Sequence, residues 1–377
     1  MSNITNLLAD LVAIDSINSD LVSGGAGEGA IARFIADWLA DAGLEVRLDE
    51  IQPGRPNVIA IARGTGGGRT LMLNGHMDTV GVAGMTNPHQ PAIKGDRLYG
   101  RGAYDMKGGL AACMVAIAEA QKRSLSGDVM FTAVMDEEFA GLGTIDIAAK
   151  YKAAAAILAE PTDMQLVTAH KGFVWLDIET HGVAAHGSRP DLGVDAISKM
   201  GRVLVELETL NQRLLADPTH TLLKSGSLHA SLISGGQELS SYPERCVLSV
   251  ERRTIPGERP EFVEEQIRDI LRRLTASDGQ FKATVRRNLD RAPLETRDDS
   301  EIAALVKRNA TQVTGRLAEA TGVAYWTDAA SLSQAGIPSV LFGPKGAGAH
   351  AFEEWVDLQS VQQCTMIYVR VIEAFCR

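Results

Sequence analysis

Short apolar runs alternate with helix-periodic stretches through the first 160 residues of this chain, and that alternation narrows the fold more than any other feature. The segments "NVIAIA" (57–62), "RTLMLNG" (69–75), "DVMFTAVM" (128–135) and "AAAILAE" (154–160) have the length and apolar content of strands buried on both faces. Between them the pattern predicts an alanine-rich helix from about Lys107 to Lys122 and another over "IDIAAKY". Strand, helix, strand, helix, strand is the signature of an α/β unit with a mostly parallel central sheet flanked by helices. Leu7, Leu8, Leu11 and Val12 recur at helical spacing and predict an amphipathic first helix. The glycine-rich "GTGGG" (64–68) does not fit GxGxxG, because Arg69 stands where the last glycine belongs. It is read as the turn of a hairpin joining 57–62 to 69–75.

The texture changes near residue 170. "KGFVWLDIETHG" sets Phe173, Trp175 and Asp177 against Val174, Leu176 and Ile178, the period-two pattern of a half-buried strand. A long helix from about Asp195 to Leu215 follows, then strand-like "SLHASLISGG" and "RCVLSVERRTI", then a helix over 259–275. Two helices with about four strands predict a small α+β unit. From about residue 290 the α/β texture returns, with a helix over 299–313, the strand "SVLFGP" and a last helix from about Leu358. The expected organisation is therefore an α/β domain in two parts, 1–169 and 287–377, interrupted by an inserted α+β unit at 170–286.

Length and charge bound the partners. The 377 residues, 45% hydrophobic and 22% charged, suffice for a sizeable core, and the net charge of −10 argues against nucleic acid or an anionic membrane as the main partner. The start lacks a basic segment and carries an acid inside its apolar part, so no secretory signal is expected. No apolar run approaches the ~18 residues that span a bilayer. Cys113, Cys246, Cys364 and Cys376 are far apart and form no CxxC pair, so they are read as reduced thiols in a cytoplasmic protein.

The chemistry is written at the strand ends. "VMFTAVMDEEFAG" stops a core strand on three acids, Asp136, Glu137 and Glu138. "LMLNGHMDT" ends in His76 and Asp78, "AAAILAEPT" in Glu160, and "SVLFGPKGAGAH" leads into His350. In open α/β sheets ligands bind outside the carboxyl ends of the strands, so these side chains should converge on one crevice. Asp105, in "YGRGAYDMKGG", lies in a glycine-flanked loop just before a helix. Buried like charges in one place either shift their pKa values strongly or bind metal. Asp105, Glu138 and Glu160 with neutral His76 and His350 balance two divalent ions and one hydroxide. Mixed imidazole and carboxylate ligation suits zinc, with cobalt or manganese as alternatives. Asp78, two residues after His76, is placed to orient that imidazole through its other N–H. Asp136 is assigned no role beyond capping the turn.

The motifs "GHMDTV", "GRGAYDMKGG", "MDEEFAG", "AEPT", "HGVAAHGSRPDLGVDAI" and "GPKGAGAHAFEEWV" occur in an order that resembles a family of dinuclear zinc exopeptidases and deacylases. Its members include acetylornithine deacetylase, succinyl-diaminopimelate desuccinylase and glutamate carboxypeptidase. The resemblance covers nearly the whole chain. It implies that Asp105 bridges two metal ions, that His76 and Glu160 complete one site and Glu138 and His350 the other, and that Glu137 is the general base. It also implies that the α/β part is the catalytic domain and the inserted unit at 170–286 a lid or dimerisation domain, that His186 in this lid stabilises the oxyanion, in dimeric members from the partner subunit, that Arg253 grips a substrate carboxylate, and that the lid forms a homodimer. Arg252, adjacent on the same strand, should face the other way. Two departures stand out. Ser240 replaces an asparagine that many relatives carry before this strand, and Lys345 replaces a common glycine, adding a positive charge beside the His350 loop.

The activity these residues imply is hydrolysis of the amide bond of an N-acyl amino acid, by metal-activated water with Glu137 as base. A dipeptidase or carboxypeptidase acting on short peptides is the alternative. A non-catalytic scaffold ranks below both, because no ligand and no base is missing. The chain has no GxSxG, no Walker loop and no HExxH, so serine, nucleotide-dependent and common single-zinc chemistries are not expected.

Overall fold

A computed structural model describes residues 2–377, with side chains from Ile4 onward. The chain divides into two compact units. The first comprises residues 2–168, Thr296–Thr321 and Thr327–Arg377, and the second Ala169–Glu295 with Gly322–Trp326.

In the first unit the sheet orders its strands Glu45–Gln52, Arg55–Ala62, Val129–Val134, Leu71–His76, Ala155–Leu158 and Ser339–Leu341. The last four are mutually parallel, and the first two add an antiparallel margin. The strands are apolar on both sides because both faces are covered. Val58, Ala60 and Ala62 belong to the main core, with Leu8, Ile35, Leu110 and Ile367 from the helices, while Ile59 and Ile61 are buried on the opposite side. Parallel strands share a direction, so His76, the turn after Val134 and the turn after Leu158 all emerge at one end of the sheet. Sequence-distant side chains are thereby delivered to one place.

The expected hairpin does not form. Arg55–Ala62 and Leu71–His76 are separated by Val129–Val134, which pairs antiparallel with the former and parallel with the latter. The glycines of 64–68 serve a crossing instead. A Cβ on Gly64 or Gly68 would collide with the backbone of Ser126 and Gly127, and Thr65 and Gly66 donate their N–H groups to the carbonyls of Leu125 and Ser126. A three-layer α/β unit inserts the later strand between two earlier ones, and no local signal in "GTGGG" registers that insertion.

The second unit is an antiparallel sheet in the order Ser227–Gly235, Arg245–Thr254, Gly172–His181, Lys282–Arg291, with helices Ala196–Ala216 and Pro260–Ser277. Val174, Leu176 and Ile178 enter a core with Met200, Val203, Leu207, Ile267 and Ile270, while Trp175, Asp177 and Glu179 stay half-buried. Asp195 caps the first helix, its Oδ1 accepting the Ser198 N–H at 2.9 Å. The 286/287 boundary falls inside Lys282–Arg291. That strand pairs with Gly172–His181 along its length, so the whole ladder stays with this unit and the unit runs on to Glu295.

All four cysteines are buried free thiols. Among the described residues no helix is long and apolar enough to cross a membrane.

Two glycine substitutions should have opposite signs. A Cβ on Gly109, in helix Gly108–Gln121, would collide with the Ala159 carbonyl, whereas one on Gly201 meets nothing within 4 Å on an exposed helical face. Gly109→Ala should cost roughly 1–3 kcal/mol by overpacking. Gly201→Ala should stabilise its helix by up to about 1 kcal/mol. Urea unfolding followed by circular dichroism measures both, and a neutral Gly109→Ala would contradict the close packing.

Candidate metal centre

Asp105 sits at the middle of the site. Its Oδ1 lies 3.2 Å from His76 Nε2 and its Oδ2 lies 3.5 Å from His350 Nε2. Glu160 Oε2 stands 3.9 Å from His76 Nε2, and Glu138 Oε2 stands 3.1 Å from His350 Nε2. One carboxylate therefore turns an oxygen toward each of two imidazoles, and each imidazole has a second acid beside it. Donor atoms of His76, Asp105 and Glu138 lie within 4.8 Å of one another, and so do those of His76, Glu137 and Glu160. The structure thus brings together every metal-ligand candidate, His76, Asp105, Glu138, Glu160 and His350, and places Glu137 among them.

Local structure explains each placement. His76 closes the strand Leu71–His76. Asp105 lies in the tight turn Ala103–Lys107 that opens onto helix Gly108–Gln121, and its peptide bond to Met106 is cis. After Val134 the chain turns at Asp136, which takes a positive φ of 70° and accepts the N–H groups of Ala140 and Gly141 on its carbonyl. His350 also has a positive φ, of 60°, and follows Gly348 at 87°.

The donor set fits divalent cations on electrostatic grounds. Burial pushes the Glu137 carboxyl well above the ordinary range, with Glu160 adding to it. Burial lifts Glu160 to about 8, reinforced by Asp105 and opposed by His76. Burial and Asp105 also raise Glu138, whose Oε1 is buried with no hydrogen-bond partner among the described residues. Hydrogen bonds to Asp105 and Glu138 lift His350 to about 10. Burial pulls His76 down, but Asp105 and Asp78 outweigh it and raise the imidazole well above its usual value. Without a cation, the site answers its excess negative charge by holding protons.

Asp78 acts differently from expectation. His76 Nδ1 lies 2.9 Å from the Asp78 backbone carbonyl, while the carboxylate Oδ1 is 3.5 Å away, too far for a good hydrogen bond. The carboxylate instead accepts the backbone N–H groups of Glu137 (3.2 Å) and Glu138 (3.1 Å) and the Asn18 amide (2.8 Å). Asp136 is also more than a turn cap. It is fully buried and accepts from Asn18 Nδ2 at 3.1 Å, and its backbone N–H donates to Glu28 Oε1 at 3.2 Å. Arg55 pairs with Glu28 through two bonds of 2.6 and 2.7 Å and lies 3.4 Å from Asp136 Oδ1. A buried cation thus offsets the acids behind the site.

Sequence reading missed Asn18, Glu28, Arg55, Asp163, Asp328 and Glu354. Tyr104 Oη donates to Asp163 Oδ1 at 3.0 Å, tying the loop after Glu160 to the Asp105 turn. Asp328 is fully buried, and burial lifts its acid to about 7. Glu354 accepts N–H groups from the Asp105 turn. An acid four residues after His350 in "HAFEEW" was the visible signal for Glu354; for Asn18 and Asp328 no local pattern existed.

Lys345 lies in the first unit, half-buried, with its backbone N–H on Ser360 Oγ at 2.9 Å. The other predicted residues lie in the second unit. His186 is exposed, with Nδ1 2.8 Å from Ser188 Oγ. Ser240 is exposed and accepts the Gly187 N–H on its carbonyl at 2.6 Å. Arg253 is partly exposed, its Nε donating to Glu251 at 2.7 Å, while Arg252 is fully buried against Glu258 and the Arg253 carbonyl.

A parallel-sheet unit carrying this cluster defines a metallohydrolase class. The profile described as Peptidase family M20/M25/M40 matches residues 72–374, and the chain belongs to that family. An acetylornithine deacetylase of Myxococcus xanthus is 31% identical over 393 residues, covering 98% of this chain and 96% of the relative. The crystal structure of aminopeptidase PepT from Bacillus cereus superposes with a TM-score of 0.82 at 19% identity, covering 100% of this chain and 99% of that one. The Bacillus subtilis YXEP protein, described as a dinuclear metal binding peptidase from the M20 family, gives 0.78 at 15% identity, covering 100% and 98%.

The raised values of Glu137, Glu138, Glu160, His76 and His350 set the sign of a pH dependence. These groups hold protons more tightly folded than unfolded, so the chelated protein should lose stability as pH rises from about 5 to about 9. Asp105 and Asp78 are shifted the other way, but their contribution is complete above the ordinary carboxylate range and leaves this window unchanged. Zinc should raise the melting temperature most at the alkaline end. Thermal unfolding at about pH 6 and about pH 8, with and without zinc, checks this; a chelated protein equally stable at both would contradict it.

Proposed function

We propose that this chain hydrolyses the amide bond of an N-acyl amino acid using two divalent cations, with zinc the best match to the mixed imidazole and carboxylate donors and cobalt or manganese as alternatives. The observation that carries the reading is the Asp105 carboxylate, which offers one oxygen beside His76 and the other beside His350. His76, Asp105 and Glu160 would hold one cation, and Asp105, Glu138 and His350 the second. When bound, such cations polarise a carbonyl and lower the pKa of water to about 7.

The chain's own residues supply the rest. Glu137 accepts a proton on its carboxylate from the attacking water and returns it to the leaving nitrogen. Asp78 steadies that carboxylate by holding the backbone of Glu137 and Glu138. His186 donates to the developing oxyanion. Arg253 pairs with the substrate carboxylate, an arrangement its planar fork suits. Ser240 contacts substrate where relatives use asparagine, and Lys345 favours an acidic substrate group. Arg253 rather than Arg252 is chosen because Arg252 is fully buried and already engaged with Glu258.

Deacylation is preferred over dipeptide hydrolysis because the relative named acetylornithine deacetylase aligns over nearly the full length. The chain is further proposed to act as a cytoplasmic homodimer through the second unit. Its strand Ser227–Gly235 stands at the sheet edge and is exposed from His229 onward, with Leu232 and Ile233 open. Sedimentation as a monomer at micromolar concentration would exclude the dimer.

A hydrolysis screen of N-acyl amino acids and dipeptides, with zinc and with cobalt, tests the assignment. Turnover of acylated amino acids is expected, and activity confined to dipeptides would overturn it. In the same screen Lys345→Gly should narrow the preference for acidic groups; unchanged preferences would remove Lys345 from recognition. Glu137→Gln should lower kcat by at least ~10² while the metal content stays at wild type. Loss of a cation from that variant would make Glu137 a ligand instead of a base.

A further inference from the structure

We infer that Glu354 is a positioning residue that sets where the Asp105 carboxylate stands, by locking the turn that carries Asp105 to the loop that carries His350. The inference rests on the reading of Asp105 and His350 as metal ligands.

Glu354 is 1% exposed, and both of its oxygens are filled. Oε1 accepts the backbone N–H of Tyr104 at 2.9 Å and that of Asp105 itself at 3.0 Å. Oε2 accepts the Gly102 N–H at 3.0 Å and Arg101 Nη1 at 2.7 Å. Glu354 and its neighbours supply the other half of the lock. The Gly100 N–H donates to the Glu354 carbonyl at 3.1 Å, and Arg101 Nη2 donates to the Ala351 carbonyl at 2.9 Å, one residue after His350. Immediately beyond, Trp355–Asp357 pairs with Arg97–Tyr99, so the two segments leave a shared ladder together.

A carboxylate suits this place because it is acceptor-only. Four N–H donors converge on it, and a buried carboxylate is tolerated only when so engaged. Glutamine has the same shape but carries an NH₂ group at one end. At Glu354→Gln that group meets N–H donors on whichever side it turns, so the turn must shift or leave donors unpaired. A shift of the Asp105 N–H is a shift of the Asp105 backbone, and the oxygens that face His76 and His350 move with it. Glu353, next in sequence and exposed, provides a control that touches none of these groups.

The test is cobalt(II) titration of the chelated full-length chain, read by visible absorption, with circular dichroism to verify folding. Relative to wild type, Glu354→Gln should bind cobalt(II) about 10- to 100-fold more weakly and give an altered absorption band. Its activity loss should fall on kcat, with KM little changed, while Glu353→Gln behaves as wild type. A folded Glu354→Gln with the wild-type affinity and spectrum overturns the inference, whatever its melting temperature. Should Glu354→Gln not fold, Arg101→Met decides, because it removes one donor and leaves the three backbone donors. It should weaken cobalt binding in the same direction by a smaller factor, and a wild-type titration overturns the inference. If the wild-type chain itself binds no cobalt, the ligand reading fails and this inference falls with it; if wild type binds and the variants match it, only the role of Glu354 fails.

Discussion

Repulsion among buried carboxylates is the constraint to which the first unit is built. Asp105, Glu138, Glu137 and Glu160 bring donor atoms within 4.8 Å of His76 and of one another in two overlapping groups. At that separation two ionised carboxylates repel by roughly 3–4 kcal/mol even at an effective dielectric of 20. A few such pairs equal the whole stability of a typical domain, about 5–15 kcal/mol. The cluster therefore exists only with compensating positive charge, and protons on the imidazoles and on Glu160 are one form of it. Divalent cations are the other, and the division of the Asp105 carboxylate between His76 and His350 gives them two places to sit.

The surrounding structure is arranged so that the acids cannot move apart to relieve this repulsion. Parallel strands bring His76, Glu138 and Glu160 to one end of the sheet. Asp78 holds the backbone of Glu137 and Glu138 and is held in turn by Asn18. Asn18 also reaches Asp136, behind which Arg55 and Glu28 form a buried pair. On the other side, Asp163 and Glu354 fix the turn around Asp105. The three consecutive acids at 136–138 thus have three different occupations. Asp136 faces inward to a buried hydrogen-bond network, Glu138 faces His350, and Glu137 lies near His76 and Glu160.

Much of this was legible in the order of residues. Strands buried on both faces read as continuous apolar runs, and His76, Glu138 and Glu160 read as polar residues ending such runs. The period-two pattern of 172–181 and the helical pattern after Asp195 set the α+β texture of the second unit apart. The hairpin expectation failed because strand order within a sheet is a non-local choice: residues 57–62 take 129–134 as a partner, not 71–76. The 286/287 boundary failed for a related reason, since composition changes before the ladder with 172–181 has ended. Asp78 was placed beside His76 on spacing alone, but spacing does not say whether a carbonyl or a carboxylate faces the ring.

By itself the sequence determined the fold class, the apolar faces, the ligand-type side chains at the strand ends and the family resemblance, because each is carried by local residue type, by spacing along the chain or by motif order. Only the tertiary structure decided which oxygen of Asp105 meets which imidazole, that Asp136 is buried, and that Asn18, Arg55, Asp163 and Glu354 stand behind the site. Those contacts join residues 18 to 78, 55 to 136, 104 to 163 and 105 to 354. Hydrogen bonds across such separations depend on the packing of whole elements, and no periodicity along the chain encodes them.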